Sequence, residues 1–141
     1  MQIIGFNFEK ISAEKHKDVQ GKLSINSNIE IDDITKEKID VFKDKNILKF
    51  KFSFTVKYEP GVADLAFKGS ILVVFPEEEE KDILKKFKKK KVEDAVRIPL
   101  FNIILTRSSV KALQMEEDLQ LPLHIPFPRV SPPKEGVNYT G

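Results

Sequence analysis

The sequence predicts an α+β fold in which a four-stranded antiparallel sheet is covered on one face by helices, with a long helix packed along the sheet. Four runs before residue 76 alternate apolar and polar side chains with period two, which is typical of strands with one buried face. After residue 76 the charges are arranged as in a helix, and a long apolar stretch follows. These observations predict a sheet first and helices second.

The composition is that of a globular protein and excludes several kinds of site. The chain has 141 residues, of which 40% are hydrophobic and 33% are charged, and its formal net charge is +2. We predict one domain at 1–130 and a short proline-containing tail at 131–141. Because cysteine is absent, disulfides and thiolate metal sites are excluded. The nearly balanced charge provides no strong overall attraction to nucleic acid or to acidic membranes.

Targeting and membrane signals are not recognisable in the sequence. The N-terminal segment lacks the basic start and long apolar stretch of a secretory signal. The longest apolar runs, SILVVF and IPLFNIIL, are much shorter than the roughly 20 residues that a membrane-spanning helix requires. We therefore expect a cytoplasmic protein that is not inserted in a membrane.

The outer strands are predicted by two runs in the first part of the chain. Apolar residues alternate at 4–8 and again at 22–32. The stretch 33–46 is rich in lysine, aspartate and glutamate, so we predict a solvated connection with one helical turn near Ile39 and Phe42.

The central hairpin is the clearest local pattern. In LKFKFSFTVKY, which begins at Leu48, apolar side chains alternate with lysine, serine and threonine. The sequence EPG at 59–61 then marks a turn. The run 62–75 again places its large apolar side chains on one face. The two runs therefore predict an antiparallel hairpin.

Two helices are predicted in the second half of the chain. In EEEEKDILKKFKKKK the acidic start and basic end complement a helix dipole, and Ile83, Leu84 and Phe87 form a narrow apolar stripe. The second helix is predicted to begin at Pro99, since proline suits the first helical position, and to end near Glu117.

The first half of the second helix is apolar on nearly every side and therefore needs cover on more than one face. A four-stranded sheet covers one face only, so we expect a second subunit to cover another and the protein to be a homo-oligomer. Small residues in this helix permit close approach. The predicted interface residues are Leu100, Ile103, Leu105, Ser108, Ser109 and Ala112.

The segment LPLHIPFPRV at 121–130 is apolar, but its prolines exclude a helix. In an extended strand its alternating apolar side chains share one face, and its prolines leave one edge without N–H donors. Two interpretations remain open: a cap over the edge of the core, or one wall of a groove for an extended apolar partner. The alternating apolar residues are Leu121, Leu123, Ile125 and Phe127.

Catalytic and metal-binding motifs are not found in the sequence. Of the two histidines, His16 is expected to be a solvated surface residue and His124 a structural one, because a general base requires a positioned partner. Neither a nucleophile elbow nor a phosphate-binding glycine loop occurs. We expect a protein that is not an enzyme and that uses no cofactor or metal.

The lysine-rich run from Lys85 to Lys91 is an alternative binding surface. Such a patch neutralises phosphates and gives salt-dependent binding of nucleic acid. Against this, four glutamates lie one or two turns away, and no pair of exposed aromatic side chains accompanies the lysines for base stacking. We therefore favour a solvated helix end here.

The order of elements resembles the SecB family of export chaperones over about residues 3–130. The family's central hairpin corresponds to ILKFKFSFTVKYEPGVADLAFKGSILVVF, its long helix with an early proline to IPLFNIILTRSSVKAL, and its extended apolar stretch to LQLPLHIPFPRV. The resemblance is a pattern of elements rather than of invariant residues. The remaining VSPPKEGVNYTG is too short and too rich in proline for the second C-terminal helix and polar tail of the family, which puts docking to a translocation motor in doubt.

The resemblance implies a tetramer built as a dimer of dimers and apolar grooves that hold unfolded polypeptides without ATP. The expected function is an ATP-independent chaperone, or holdase, for unfolded or export-bound polypeptides. The alternatives are a nucleic-acid-binding module that uses the Lys85–Lys91 patch and an adaptor with one dedicated protein partner. The positions implied as client contacts are Phe101, Ile104, Leu121, Leu123, Ile125 and Phe127.

Overall fold

A four-stranded antiparallel sheet is followed by two helices in the structure, a computed structural model that describes residues 1–133. The strands lie in the order β1-β4-β3-β2. The predicted α+β class and four-stranded antiparallel sheet are confirmed, whereas most of the predicted tail, 134–141, lies outside the described residues. The elements are β1 (Gln2–Lys15), β2 (Ser24–Glu37), a 3-10 turn (Asp40–Phe42), β3 (Asn46–Glu59), β4 (Ala63–Phe75), α1 (Glu77–Phe87) and α2 (Asp94–Asp118).

The β3–β4 hairpin supplies most of the core. Alternate side chains of β3, among them Phe50, Phe52 and Phe54, are almost completely buried, and so are alternate side chains of β4. This is the pattern expected of strands whose one face meets the helices. Gly69 lies opposite Phe52, and an added Cβ there would come within 2.8 Å of the Phe52 ring, so the absence of a side chain allows the close contact.

The outer strand β2 is longer than the sequence pattern predicted. We expected a solvated connection from residue 33, but β2 continues to Glu37, and only the 3-10 turn at 40–42 matches the predicted helical turn. A β-bulge between Ile31 and Asp33 causes the difference. Beyond it, Ile34 faces the core opposite Phe50, although period two counted from Ile31 would point it outward.

Helix α1 packs its predicted apolar stripe against the core. Ile83, Leu84 and Phe87 are half-buried there. Glu80, in the first turn, is also buried, and its carboxylate forms an ion pair with Lys36 of β2 at 3.4 Å. This contact fastens the start of α1 to the edge strand of the sheet.

Helix α2 begins at Asp94, so the prediction that it begins at Pro99 is wrong. The first turn forms ahead of the proline, with the backbone N–H of Arg97 donating to the carbonyl of Glu93 at 2.8 Å. Val96 packs against the core and so stabilises this extra turn. That packing offsets the loss of the backbone hydrogen bond that Pro99 cannot donate. Neither helix of the described residues is long and apolar enough to cross a membrane.

The buried face of α2 follows a regular spacing of four residues. This stripe faces the sheet and contains the small residues Ser108 and Ala112, which allow the helix to approach closely. One member, Glu116, is charged and yet fully buried. The stripe consists of Leu100, Ile104, Ser108, Ala112 and Glu116.

Candidate functional site

An apolar groove lies between the C-terminal half of α2 and the segment 121–130, which we name the proline segment. The groove has a volume of about 750 Å³. Its apolar walls come from Val110 and Leu113 of α2 and from Leu121, Leu123 and Phe127 of the proline segment. Its polar lining residues are Gln114, Glu117 and Gln120.

The proline segment reaches this position through a sharp turn at the end of α2. Gln120 has a left-handed backbone, with φ of 54°. The N–H of Leu121 then donates to the carbonyl of Glu116 at 2.8 Å, and the N–H of Gln120 donates to that of Glu117 at 3.0 Å. These two bonds form a Schellman motif, which closes the helix and sends the chain back along it.

The proline segment is not a strand, so the interpretation of the segment as a strand that caps the edge of the core is wrong. The residues after the turn adopt irregular coil with a bend at His124 and Ile125. Within the described residues, no strand pairs with this segment, because backbone and side-chain bonds to α2 and β3 hold it instead. As in the prediction of a groove wall, it presents apolar side chains beside a cavity.

A buried carboxylate fastens the proline segment to α2. The Glu116 carboxylate accepts hydrogen bonds from the backbone N–H of His124 at 2.9 Å and from its ring Nδ1–H at 2.7 Å. The Glu116 side chain is 0% exposed and the His124 side chain only 4%. A charge removed from water requires such partners, because an unpaired buried charge is strongly unfavourable.

A second fastening comes from the sheet. The hydroxyl group of Tyr58, on β3, donates a hydrogen bond to the carbonyl of Pro122 at 2.5 Å. Burial, together with the negative charge of nearby Glu116, raises the pKa of the Tyr58 hydroxyl well above its usual range. A tyrosine hydroxyl is protonated at neutral pH in any case, and the raised pKa keeps this one a donor further into the alkaline range. Between them, Tyr58 and Glu116 fix the first four residues of the proline segment.

Ser109 completes a polar cluster that has the order of a hydrolase triad without its surroundings. Its hydroxyl lies 3.4 Å from His124 Nε2, on the far side of the ring from Glu116. However, Ser109 is buried in the middle of α2, where the neighbouring backbone N–H groups belong to the helix and are not free to stabilise an oxyanion. The contacts of Ser109 and Glu116 with His124 therefore suit a structural role, in which they hold the proline segment against α2.

Three of the six implied client contacts meet in the groove. Leu121 is largely buried at its floor, while Leu123 is 37% exposed and Phe127 is 58% exposed. Ile125 is exposed but does not line the groove. The side chain of Ile104 is enclosed between α2 and the sheet, because it belongs to the buried stripe of α2.

The residues on the α2 side of the groove were not predicted from the sequence. Val110 is 56% exposed and Leu113 is half-buried beside it. Neither was singled out, because the apolar half of the helix that precedes them dominated the pattern. A valine three residues before a leucine, followed by an apolar segment, is the sequence signal that would have indicated them.

Most of the predicted interface residues are enclosed by the chain itself. Leu100, Ser108 and Ala112 are buried against the sheet of their own chain, Ser109 is buried beside His124, and Ile103 is half-buried. The small side chains therefore permit close approach of α2 to its own sheet. Of the six, only Leu105 is exposed. Homo-oligomerisation therefore stays a prediction, and its candidate surface is now the outward side of α2 around Leu105.

The sixth implied client contact, Phe101, lies in a different cavity. This cavity, which we name the basic cavity, has a volume of about 690 Å³ and is formed by the end of α1, the connection to α2 and the start of α2. Here Phe101 joins Phe87 and four lysines of the Lys85–Lys91 run, namely Lys86, Lys89, Lys90 and Lys91. The second ring, supplied by α2, is half-buried like the first, so these lysines have an aromatic pair beside them but not the exposed pair that base stacking requires.

Comparison with known proteins shows a likeness in structure only. No protein-family model matches the sequence, and no curated protein matches it either. The structure is similar to that of the Mycobacterium tuberculosis SecB-like chaperone Rv1957, which was solved in complex with a ChAD peptide from the antitoxin HigA1. The TM-score is 0.50 at 15% sequence identity, and the match covers 94% of this chain and 92% of that chain. The likeness shows the fold, and the chain therefore has the SecB-like fold that its order of elements predicts.

Proposed function

We propose that this protein is an ATP-independent chaperone that holds unfolded or export-bound polypeptides in the groove between α2 and the proline segment. The observation that carries the proposal is the gathering of exposed apolar side chains, chiefly Val110, Leu123 and Phe127, around one groove. In this proposal the protein acts in the cytoplasm, and it binds its clients without catalysing a reaction.

The groove has the chemistry that an unfolded polypeptide requires. Burial of apolar surface contributes about 25 cal/mol per Å², so covering these side chains with those of a client supplies affinity without demanding one sequence. The amides of Gln114 and Gln120 lie beside the apolar walls and provide donors and acceptors for a client backbone. An extended apolar segment of a client therefore satisfies both parts of the groove.

The similarity in fold supports the same kind of partner. The SecB-like chaperone of Mycobacterium tuberculosis was solved with a peptide of another protein bound to it. We infer that the present chain also binds polypeptide segments. The residues that we propose as client contacts come from the geometry of the groove in this chain and not from that complex.

Association of several copies is part of the proposal. The outward side of α2 exposes Ile98 and Leu105, and no other element of the described chain covers them. Exposed large apolar side chains along one helix favour contact with a second copy, and such a contact would bring two grooves into one particle.

A holdase assay tests the proposed function. A chemically denatured, aggregation-prone protein is diluted into the chaperone while turbidity and co-elution are followed, with the folded client as control. We expect suppression of aggregation for the unfolded client only. The double variant Leu123→Ser/Phe127→Ser should lose most of this suppression, because it removes two of the exposed apolar side chains of the groove.

A matched variant controls for the general loss of surface hydrophobicity. Val41→Ser/Phe42→Ser also removes two exposed apolar side chains, but on the connection between β2 and β3 and outside the groove. It should suppress aggregation as the unmodified protein does. If the groove variant is folded, as judged by circular dichroism, and still suppresses aggregation fully, the groove is not the client site.

An adaptor with one dedicated partner is the second candidate. It is favoured by the identity of the peptide in the similar structure, which comes from one particular antitoxin. A panel of unrelated unfolded clients separates the two functions. Suppression across the panel supports a general holdase, whereas suppression of a single client supports the adaptor.

A further inference from the structure

We propose that the basic cavity is a second binding site, for short polypeptide segments that combine acidic with apolar side chains. The inference goes beyond the proposed function, because the basic cavity is separate from the groove. Ile31 of β2, the end of α1 and the first turns of α2 enclose it. Its volume of about 690 Å³ lies within the usual range of ligand sites.

Several cations of the basic cavity have no carboxylate partner among residues 1–133, which the structure describes. Lys86 is paired with Asp82 and Glu93. By contrast, the ion pairs formed by the described residues include none for Lys89, Lys90 or Lys91. Three adjacent positive charges repel one another, and an incoming anion relieves this repulsion.

The turn after α1 holds these lysines in place. Lys90 has a left-handed backbone, with φ of 59°. The N–H of Lys91 donates to the carbonyl of Lys86 at 3.2 Å, and the N–H of Lys90 donates to that of Phe87 at 2.8 Å. These bonds reverse the chain at the end of α1, so the lysines surround the cavity on a fixed turn and do not extend along a free helix end.

The floor of the basic cavity is apolar and partly covered by cations. Lys90 Nζ lies 5.1 Å from the centre of the Phe87 ring, and the guanidinium carbon of Arg97 lies 5.9 Å from the centre of the Phe101 ring. Ile31 and Val92 complete the apolar lining. A ligand that suits this arrangement carries carboxylates next to apolar side chains, because both kinds of surface are offered within one cavity.

These observations favour a polypeptide over a nucleic acid. Each ring is packed partly against the core and has a cation over one face, which leaves little ring surface for stacking on bases. The carboxylates of Asp82 and Glu93 lie next to Lys86, and that of Asp94 lies next to Arg97. These negative charges would repel a strand with a phosphate at every residue. A polypeptide avoids this repulsion, since its acidic residues need to occur only where they face the lysines.

The basic cavity and the groove lie on different flanks of α2. With 3.6 residues per turn, Arg97 and Phe101 point to the side of the helix roughly opposite to Val110 and Glu117. A substitution in one site therefore leaves the other intact, and the two proposals can fail separately.

Fluorescence anisotropy tests the second site. The probe is a short labelled peptide that alternates Glu and Leu, and it is compared with the same peptide carrying Gln in place of Glu. We expect tighter binding of the Glu peptide, with affinity that falls as salt is added. Lys89→Gln/Lys91→Gln should weaken its binding by about three- to tenfold, as expected for two exposed ion pairs.

Two controls make the result specific. Lys22→Gln/Lys57→Gln lowers the net charge equally but at exposed positions outside the basic cavity, and it should change the affinity by less than about twofold. Leu123→Ser/Phe127→Ser should leave the salt-dependent preference for the Glu peptide over the Gln peptide unchanged, because the groove does not distinguish these two peptides by charge. Equal affinity of Lys89→Gln/Lys91→Gln and the unmodified protein overturns the proposal. Tighter binding of a labelled oligothymidylate than of the Glu peptide, with the same loss in that variant, also overturns it and assigns the cavity to nucleic acid.

Discussion

Glu116 and His124 are the two residues on which the position of the proline segment most depends. The carboxylate has no contact with solvent and satisfies two donors of the same residue, its backbone N–H and its ring. A pair of this kind adds little net stability compared with an apolar pair of similar shape, but it specifies one arrangement and strongly disfavours the loss of either partner. It therefore defines where the segment lies.

Replacing the histidine should be strongly destabilising. His124→Ala leaves the buried Glu116 carboxylate with the backbone N–H as its only donor from the proline segment. We expect the free energy of unfolding, measured by urea denaturation, to fall by about 3 kcal/mol. The segment should also become sensitive to limited proteolysis.

His16 provides a matched control for this substitution. Its Nε2 lies 2.8 Å from an Asp64 carboxylate oxygen, but both side chains are substantially exposed. His16→Ala should therefore lower the free energy of unfolding by less than about 1 kcal/mol. Similar losses in the two variants would show that burial of the Glu116–His124 pair does not matter for stability.

Both helices end in the same way, and neither uses the residue that normally permits it. Lys90 after α1 and Gln120 after α2 adopt the left-handed conformation that glycine accepts without strain. This explains why the turn after α2 was not predicted from the sequence. Without a glycine at 120, the sequence contains no sign of the turn, and an extended strand remained one of the interpretations of the residues that follow.

Substitution of Gln120 by glycine should stabilise the protein. It relieves the left-handed strain of a residue with a Cβ and leaves both hydrogen bonds of the Schellman motif in place, so we expect a gain of about 1 kcal/mol in the free energy of unfolding. The control Gln114→Gly, at an exposed position inside α2, should cost about 1 kcal/mol. A lower melting temperature for Gln120→Gly would contradict this account of the turn.

The remaining differences at this scale also have local causes. Period two predicted the β3–β4 hairpin because no bulge interrupts the pairing of those strands. The same periodicity did not predict β2 beyond Ile31, because the extra residue of the β-bulge reverses which side chains face the core. The start of α2 was predicted too late, because Pro99 was taken as its first residue. Pro99 is tolerated about one turn inside the helix, where packing of Val96 against the core holds the first turn.

The candidate site was predicted in part, and for a reason that concerns the whole molecule. The apolar residues of the proline segment are adjacent in sequence, so their grouping could be recognised. Their partners Val110 and Leu113 join them only because the chain reverses at Gln120. The second aromatic ring of the basic cavity was missed for the same reason, since Phe87 and Phe101 lie on different helices.

At the scale of the whole molecule, association should depend on the outward side of α2. We expect light scattering at micromolar concentration to show an oligomer, because Ile98 and Leu105 remain exposed in the single chain. Ile98→Lys/Leu105→Lys should shift the protein to a monomer, as charges on both partners would be buried and repel each other. A monomer in the unmodified protein would show that this surface does not self-associate.

The bonds that hold the proline segment have a consequence for the thermodynamics of binding. A recognition loop that orders only when a ligand arrives loses conformational entropy at that moment, by about 0.5–1.5 kcal/mol for each immobilised side chain. Here Tyr58 and Glu116 fix the start of one wall during folding. The entropy of that wall is already lost before any client is present, so the groove is preorganised and a client needs to supply only the ordering of its own chain.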